Sequence, residues 1–141
     1  MNAARSAGLP EFCLNARTDP FLRNFGTPEQ CFNEAVVRGR LYLAAGARSV
    51  FVPGVIDKPT MAALVREMGG PVNILVRGGG VMPSVDEMKA LGVRRVSLGG
   101  SWMSATYGMA LEILRGLKAT GSFDYPIGVS HSEFMRIMKT F

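Results

Sequence analysis

The stretch Phe12-Cys13-Leu14-Asn15-Ala16-Arg17-Thr18-Asp19 decides how the rest of the chain reads. Successive strand side chains point to opposite sides, so Phe12, Leu14 and Ala16 share one face while Cys13, Asn15 and Arg17 share the other. The pattern predicts a short buried strand, apolar toward packing helices, with its second face turned to an interior lined by polar groups. A buried arginine needs an anionic partner, because an unpaired buried charge is costly. Arg17 is therefore expected either in a structural ion pair or in a site that binds a carboxylate or phosphate. Asp19 follows two residues later; it could accept a proton, but as a partner that orients the arginine it has the simpler role.

Upstream, Ala3 to Ala7 reads as the end of a helix stopped by Gly8-Leu9-Pro10. Downstream, Thr27-Pro28-Glu29-Gln30 is a capping box with proline at the first helical position, and that helix should run to Ala45, where Gly46 supplies the left-handed stop. A strand from Ser49 ends at Pro53-Gly54, and a helix is predicted over Pro59 to Met68. Val72 to Arg77 is a third strand, followed by Gly78-Gly79-Gly80. Ser84-Val85-Asp86-Glu87 caps a short helix that stops at Gly92, and Arg94 to Leu98 is the fourth strand. Gly99-Gly100-Ser101 then opens a long helix to about Ala119, closed by Gly121. Ser130 to Glu133 is a last capping box, starting a short amphipathic helix with Phe134, Ile137 and Met138 on one side.

Strands alternate with helices four times, and hairpin chemistry is absent, which is the sign of βαβ units and a parallel sheet. An open doubly wound sheet and a (β/α) barrel both satisfy that order. Asn15 with Arg17, Leu75 with Arg77 and Ser97 with Gly99 place polar or small residues at successive strand ends on one consistent face. Barrel interiors alternate in this way, whereas central strands of an open parallel sheet read as continuous apolar runs, so a barrel is favoured. A complete (β/α)8 barrel takes roughly 250 residues, and four units supply half of one. The expected architecture is α/β: a partial (β/α)8 barrel of four βα units plus a short C-terminal helix, as one domain over residues 1–141.

The chain has 141 residues, 48% hydrophobic and 19% charged, the composition of a globular domain. No apolar run approaches the ~20 residues that span a bilayer, and Met1 to Pro10 lacks the apolar centre of a secretory signal, so a cytoplasmic location without membrane contact is expected. Cys13 and Cys31 lack metal-type spacing and accompany a single histidine; buried free thiols are expected. The net charge of +5 is spread along the chain, with Arg94-Arg95 the only adjacent basic pair, which speaks against nucleic acid while still attracting small anions.

Leu14-Asn15-Ala16-Arg17-Thr18-Asp19, Ala44-Ala45-Gly46-Ala47, Phe51-Val52-Pro53-Gly54, Pro71 to Leu75 and Leu91 to Ser97, in this order and spacing, resemble the C-terminal half of the isocitrate lyase and phosphoenolpyruvate mutase family. The resemblance implies a magnesium-dependent lyase or phosphonomutase that makes or breaks C–C or P–C bonds in small 2-oxo or 2-hydroxy acids. Arg17 matches the family arginine that holds a substrate carboxylate or phosphonate. The acidic metal ligands and the mobile gating loop of the family lie upstream of the matched segments, so neither catalytic nor metal residues are assigned to this chain, which alone should be inactive or nearly so. Pro53-Gly54 stands where the family lyases carry a glutamate, and Arg77 where they carry asparagine; both departures weaken an isocitrate or methylisocitrate assignment.

The residues agree in part with that implication. Gly78-Gly79-Gly80 and Gly99-Gly100-Ser101 follow the last two strands, and the second runs into a helix N-terminus, where free N–H groups favour anions; tight turns needing positive φ explain the glycines equally well. Arg17, Arg77, Gly99, Gly100 and Ser97 are thus the candidate substrate-binding residues, and Asp19 and Asn15 the orienting ones. Asn73 is expected to satisfy backbone, His131 lies in the tail, and Trp102 and Tyr107 should pack the last helix. Two other readings remain: a non-catalytic half-barrel that assembles with an identical chain or a partner half through its open edges, and a fragment that binds phosphate on its glycine turns.

Overall fold

A computed structural model describes residues 2–79, 82–126 and 128–140. The order is α1 (Asn2–Ser6), β1 (Asn15–Arg17), α2 (Pro28–Ala44), β2 (Ser49–Val52), α3 (Lys58–Met68), β3 (Val72–Leu75), α4 (Val85–Ala90), β4 (Arg95–Ser97), α5 (Ser101–Thr120) and α6 (His131–Met138). The four strands form one parallel sheet in the order β1-β2-β3-β4, four consecutive units of a β/α barrel. Two compact units divide the chain, Met1–Trp102 and Met103–Phe141.

In the first unit, strand register sorts the side chains into two faces. Asn15 pairs with Ser49, Arg17 with Phe51, Phe51 with Asn73, Asn73 with Arg95 and Leu75 with Ser97, so these eight residues share one face, the inward face of a barrel. Val50, Val52, Val72 and Ile74 point the other way and are fully buried against Ala35 and Val36 of α2, Met61, Leu64 and Met68 of α3, and Met88 of α4. The core therefore lies between sheet and helices, and burying each such aliphatic side chain is worth about 1.5–3 kcal/mol. The sequence parity of Asn15, Arg17, Leu75 and Ser97 is the observed one.

Helix starts follow their capping chemistry. Thr27 and Gln30 cap each other at α2, with Gln30 N donating to Thr27 Oγ1 at 3.2 Å and Thr27 N to Gln30 Oε1 at 2.8 Å. Ser84 and Glu87 do the same at α4. α3 begins one residue earlier than expected because Asp57 caps it, accepting from Thr60 N at 2.8 Å. Gly54, with φ +100°, brings the turn after β2 against the chain after β1: a Cβ there would stand 2.6 Å from Leu22 N and 2.8 Å from the Phe21 carbonyl carbon.

Several expectations need correction. The strands are shorter than anticipated, and β1 starts only at Asn15, leaving Phe12 and Leu14 exposed rather than buried. Cys13 is exposed as well; Cys31 is the buried thiol, 3.4 Å from the carbonyl oxygens of both Pro20 and Phe25. Gly80 and Val81, which end the first glycine run, lie outside the described residues.

The second unit holds α5 beyond its first two residues and α6. No residue of either helix is buried, and Met103, Tyr107, Leu114, Phe134 and Ile137 are exposed, so the apolar pattern that predicted packing meets no partner among the described residues. Tyr107 does not pack, contrary to expectation, and neither does Trp102 at the end of the first unit. Ser130 accepts from Glu133 N at 3.2 Å, but the Glu133 carboxylate takes Arg136 instead of closing the box. Among the described residues no helix is long and apolar enough to cross a membrane.

Candidate functional site

Parallel strands deliver their C-terminal ends to one edge of the sheet, and the last residue of β1 is Arg17. Its Nε donates to Asp19 Oδ1 at 2.6 Å, and its guanidinium carbon lies 5.7 Å from the centre of the Phe51 ring on the neighbouring strand. The carboxylate and the ring together fix the plane of the guanidinium, while its other N–H groups make no hydrogen bond to described residues. The Arg17 side chain is about half exposed, so the expectation of a buried arginine gives way to one fixed at an open cleft. The partner is Asp19.

That cleft, about 240 Å³, is lined by Arg17, Thr18, Asp19, Arg23 and Arg38, with Pro20 and Phe25. Arg23 Nε approaches the second oxygen of Asp19 at 3.9 Å, and Arg38 Nε donates to Glu34 at 2.6 Å, which raises its pKa further above the ordinary guanidinium value. Thr18 is 2% exposed, and its hydroxyl is buried without a hydrogen-bond partner among the described residues. Such a hydroxyl is costly to leave unmet. A cleft with three guanidinium groups and an unsatisfied hydroxyl can accept a small anion through charge-assisted bonds. A larger apolar groove of about 620 Å³ within the second unit, between α5 and residues 122–126, has no cation among its lining residues and offers no such chemistry.

The remaining candidates are placed differently. Asn15 accepts from Ser49 Oγ at 2.7 Å and makes no hydrogen bond to Arg17, whose bonded partner among the described residues is Asp19. Ser97 and Asn73 bond each other, at 3.0 Å from Asn73 Nδ2 to Ser97 Oγ and 3.1 Å in return; Asn73 thus satisfies a side chain rather than backbone. Arg77 is exposed after β3 and is absent from the Arg17 cleft. Gly99 and Gly100 precede α5, where the Ser101 hydroxyl donates to Val76 O at 3.3 Å. A Cβ at Gly100 would meet nothing, whereas one at Gly99 would reach Leu75 at 2.8 Å. Thr18, Arg23, Phe51 and Arg38 were given no site role from sequence; register with β1 could have found Phe51, since it is the pairing partner of Arg17. Among the described residues no three His, Cys, Asp or Glu side chains gather to hold a metal ion; the resemblance puts the family's magnesium ligands upstream of the matched segments.

Comparison with known proteins places this geometry. The family model of phosphoenolpyruvate phosphomutase matches residues 1–118. The uncharacterized protein Rv1998c of Mycobacterium tuberculosis H37Rv is 37% identical over 97 residues, 68% of this chain and 35% of that protein. A candidate lyase/mutase from Burkholderia cenocepacia J2315 superposes with a TM-score of 0.85 at 32% identity, over 98% of this chain and 48% of that structure. Oxaloacetate acetylhydrolase, solved with its product oxalate, superposes with a TM-score of 0.77 at 25% identity, over 96% of this chain and 46% of that structure. The chain spans about a third of the length of the curated relative and about half of the solved structures. With four parallel βα units, an inward-facing arginine at the rim and a family match over most of its length, the chain belongs to the phosphoenolpyruvate phosphomutase family.

Proposed function

We propose that this chain supplies the carboxylate-binding side of an active site that makes or breaks C–C or P–C bonds in small 2-oxo or 2-hydroxy acids. The observation that carries the proposal is the Arg17 guanidinium, fixed by Asp19 at 2.6 Å and by the Phe51 ring, with free N–H groups toward an open cleft. Oxalate is bound by one structural relative, oxaloacetate acetylhydrolase, and a dianion of that size suits a cleft of about 240 Å³. Arg17 would take one carboxylate through paired N–H groups, the Thr18 hydroxyl would supply a further donor, and Arg23 would add positive field. An anion so held is oriented for reaction at its second carbon.

Chemistry on that carbon needs groups that the described residues do not gather. Magnesium and its acidic ligands, expected from the family, are assigned to a complementary half, so turnover by this chain alone should be absent or very small. Isothermal titration with oxalate tests the binding role: Arg17→Ala should lose at least about tenfold in affinity, while Gly100→Glu should leave it nearly unchanged. The reverse order would move the anion to the glycine turn before α5 and overturn the assignment.

A further inference from the structure

The turn that joins β1 to α2 carries Asp19, the partner that fixes Arg17, and one buried thiol ties that turn to the helix. The Asp19 carbonyl accepts from Arg23 N at 3.0 Å and the Pro20 carbonyl from Phe25 N at 2.9 Å, which closes residues 19–25 into a compact turn. Asn24, inside it, has φ +49°, a left-handed backbone that non-glycine residues hold only where their surroundings impose it. Cys31, in the first turn of α2 and 4% exposed, places its Sγ 3.4 Å from the carbonyl oxygens of both Pro20 and Phe25, the two residues whose bond closes the turn. Among the described residues no other side chain donates to the backbone of this turn. Gly54 lies against Phe21 and Leu22 from the side, a contact without a bond.

We propose, building on Arg17 as the anion anchor, that Cys31 is a positioning residue: its thiol holds the Pro20–Phe25 turn on α2 and, through the adjoining Asp19, sets the plane of the Arg17 guanidinium. A thiol is a weak donor, so it acts by its place rather than by its strength. It sits where the two ends of the turn converge, and Pro20 is buried, which leaves its carbonyl no solvent to replace the thiol. With the thiol gone, Asn24 relaxes toward ordinary backbone, the Pro20 end of the turn shifts, and Asp19, the residue next to it, moves off the Arg17 Nε. The 2.6 Å bond between them is charge-assisted, and such bonds weaken steeply with misalignment. Arg17 then keeps its charge but loses its fixed direction, which lowers affinity for a planar dianion while the general attraction of anions stays.

Oxalate titrations of Cys31→Ala, Cys31→Val and Cys31→Ser test the link, alongside the Arg17 Nε–H resonance of ligand-free, arginine-labelled protein. Valine fills the space without a donor, and serine returns a donor on a shorter bond. Alanine and valine should each weaken oxalate binding about three- to fivefold and shift the Nε–H resonance, and serine should recover part of both. The double variant Asp19→Ala/Cys31→Ala separates positioning from a general loss of stability. A thiol acting through Asp19 leaves its affinity within about 1.5-fold of Asp19→Ala alone, because the two changes break one chain of contacts. Losses that multiply in the double variant, serine no better than valine, or a Cys31→Val chain folded by far-UV circular dichroism with wild-type affinity and an unmoved Nε–H resonance would each overturn the proposal. Failure of the wild type to bind oxalate would instead remove Arg17 as the anchor, and the Nε–H resonance of the ligand-free variants would still decide whether Cys31 positions Asp19.

Discussion

Replacing Gly54 by alanine is the perturbation that most sharply links the fold to the cleft. The residue has φ +100°, where an L side chain is strained by about 1–2 kcal/mol. The new Cβ would also lie 2.6 Å from Leu22 N, 2.8 Å from the Phe21 carbonyl carbon and 2.9 Å from Leu22 Cα, all backbone that cannot swing aside. Overpacking of that kind adds about 1–3 kcal/mol, so a total near 3 kcal/mol is expected. For a unit of this size each kcal/mol moves Tm by about 4–8 °C, giving a fall of about 12–24 °C. Relief requires moving the loop that begins at Thr18 and Asp19, so Arg17 loses its orienting partner and oxalate affinity falls with stability. Gly78→Ala is the matched control, because its Cβ meets nothing within 4 Å and its φ is ordinary. Thermal melts followed by circular dichroism, with oxalate titrations below the transition, read both effects. A Gly54→Ala chain melting within a few degrees of Gly78→Ala would refute the close approach of the two loops.

Two further outcomes follow from side-chain pairs. Ser97→Ala strips Asn73, which is fully buried, of both its side-chain hydrogen bonds, and should cost about 1–3 kcal/mol in denaturant unfolding. Restoring a hydroxyl with Ser97→Thr should recover part of the loss. Glu87→Gln keeps the cap on Ser84 but removes the ion pair with Lys58, whose ammonium, followed by the Ser84 N–H, holds the Glu87 carboxyl below its ordinary pKa. A depressed carboxyl stabilises the fold above its unfolded pKa and loses that effect as pH falls through the folded value. The Tm gap between wild type and Glu87→Gln, small because both side chains are solvated, should therefore be widest at neutral pH and close in acid, as the pH falls below the ordinary glutamate range.

Much of this architecture was legible in the chain itself, because capping boxes and positive-φ glycines act locally. Thr27 with Gln30, Ser84 with Glu87, and the stops at Gly46, Gly92 and Gly121 mark helix ends without help from tertiary structure. A proline at position 59 reads as the first helical residue, which hides Asp57, the aspartate two residues earlier that carries the cap. The inward parity of Asn15, Arg17, Leu75 and Ser97 was readable from alternation, but which polar groups meet was not, since Asn15–Ser49 and Asn73–Ser97 depend on inter-strand register. Exposure was least legible. Phe12, Leu14, Trp102 and Tyr107 carry the pattern of packed residues, and periodicity records only that a side chain prefers cover, never what supplies it.

The account rests on Arg17 as the anion anchor, and that is open to direct observation. In an oxalate titration followed by NMR of arginine-labelled protein, the Arg17 Nε–H resonance should shift saturably, with Phe51 ring protons moving alongside it and Arg77 staying still. Saturable shifts at Arg77 or at the amides of Gly99 and Gly100, with Arg17 unmoved, would contradict it.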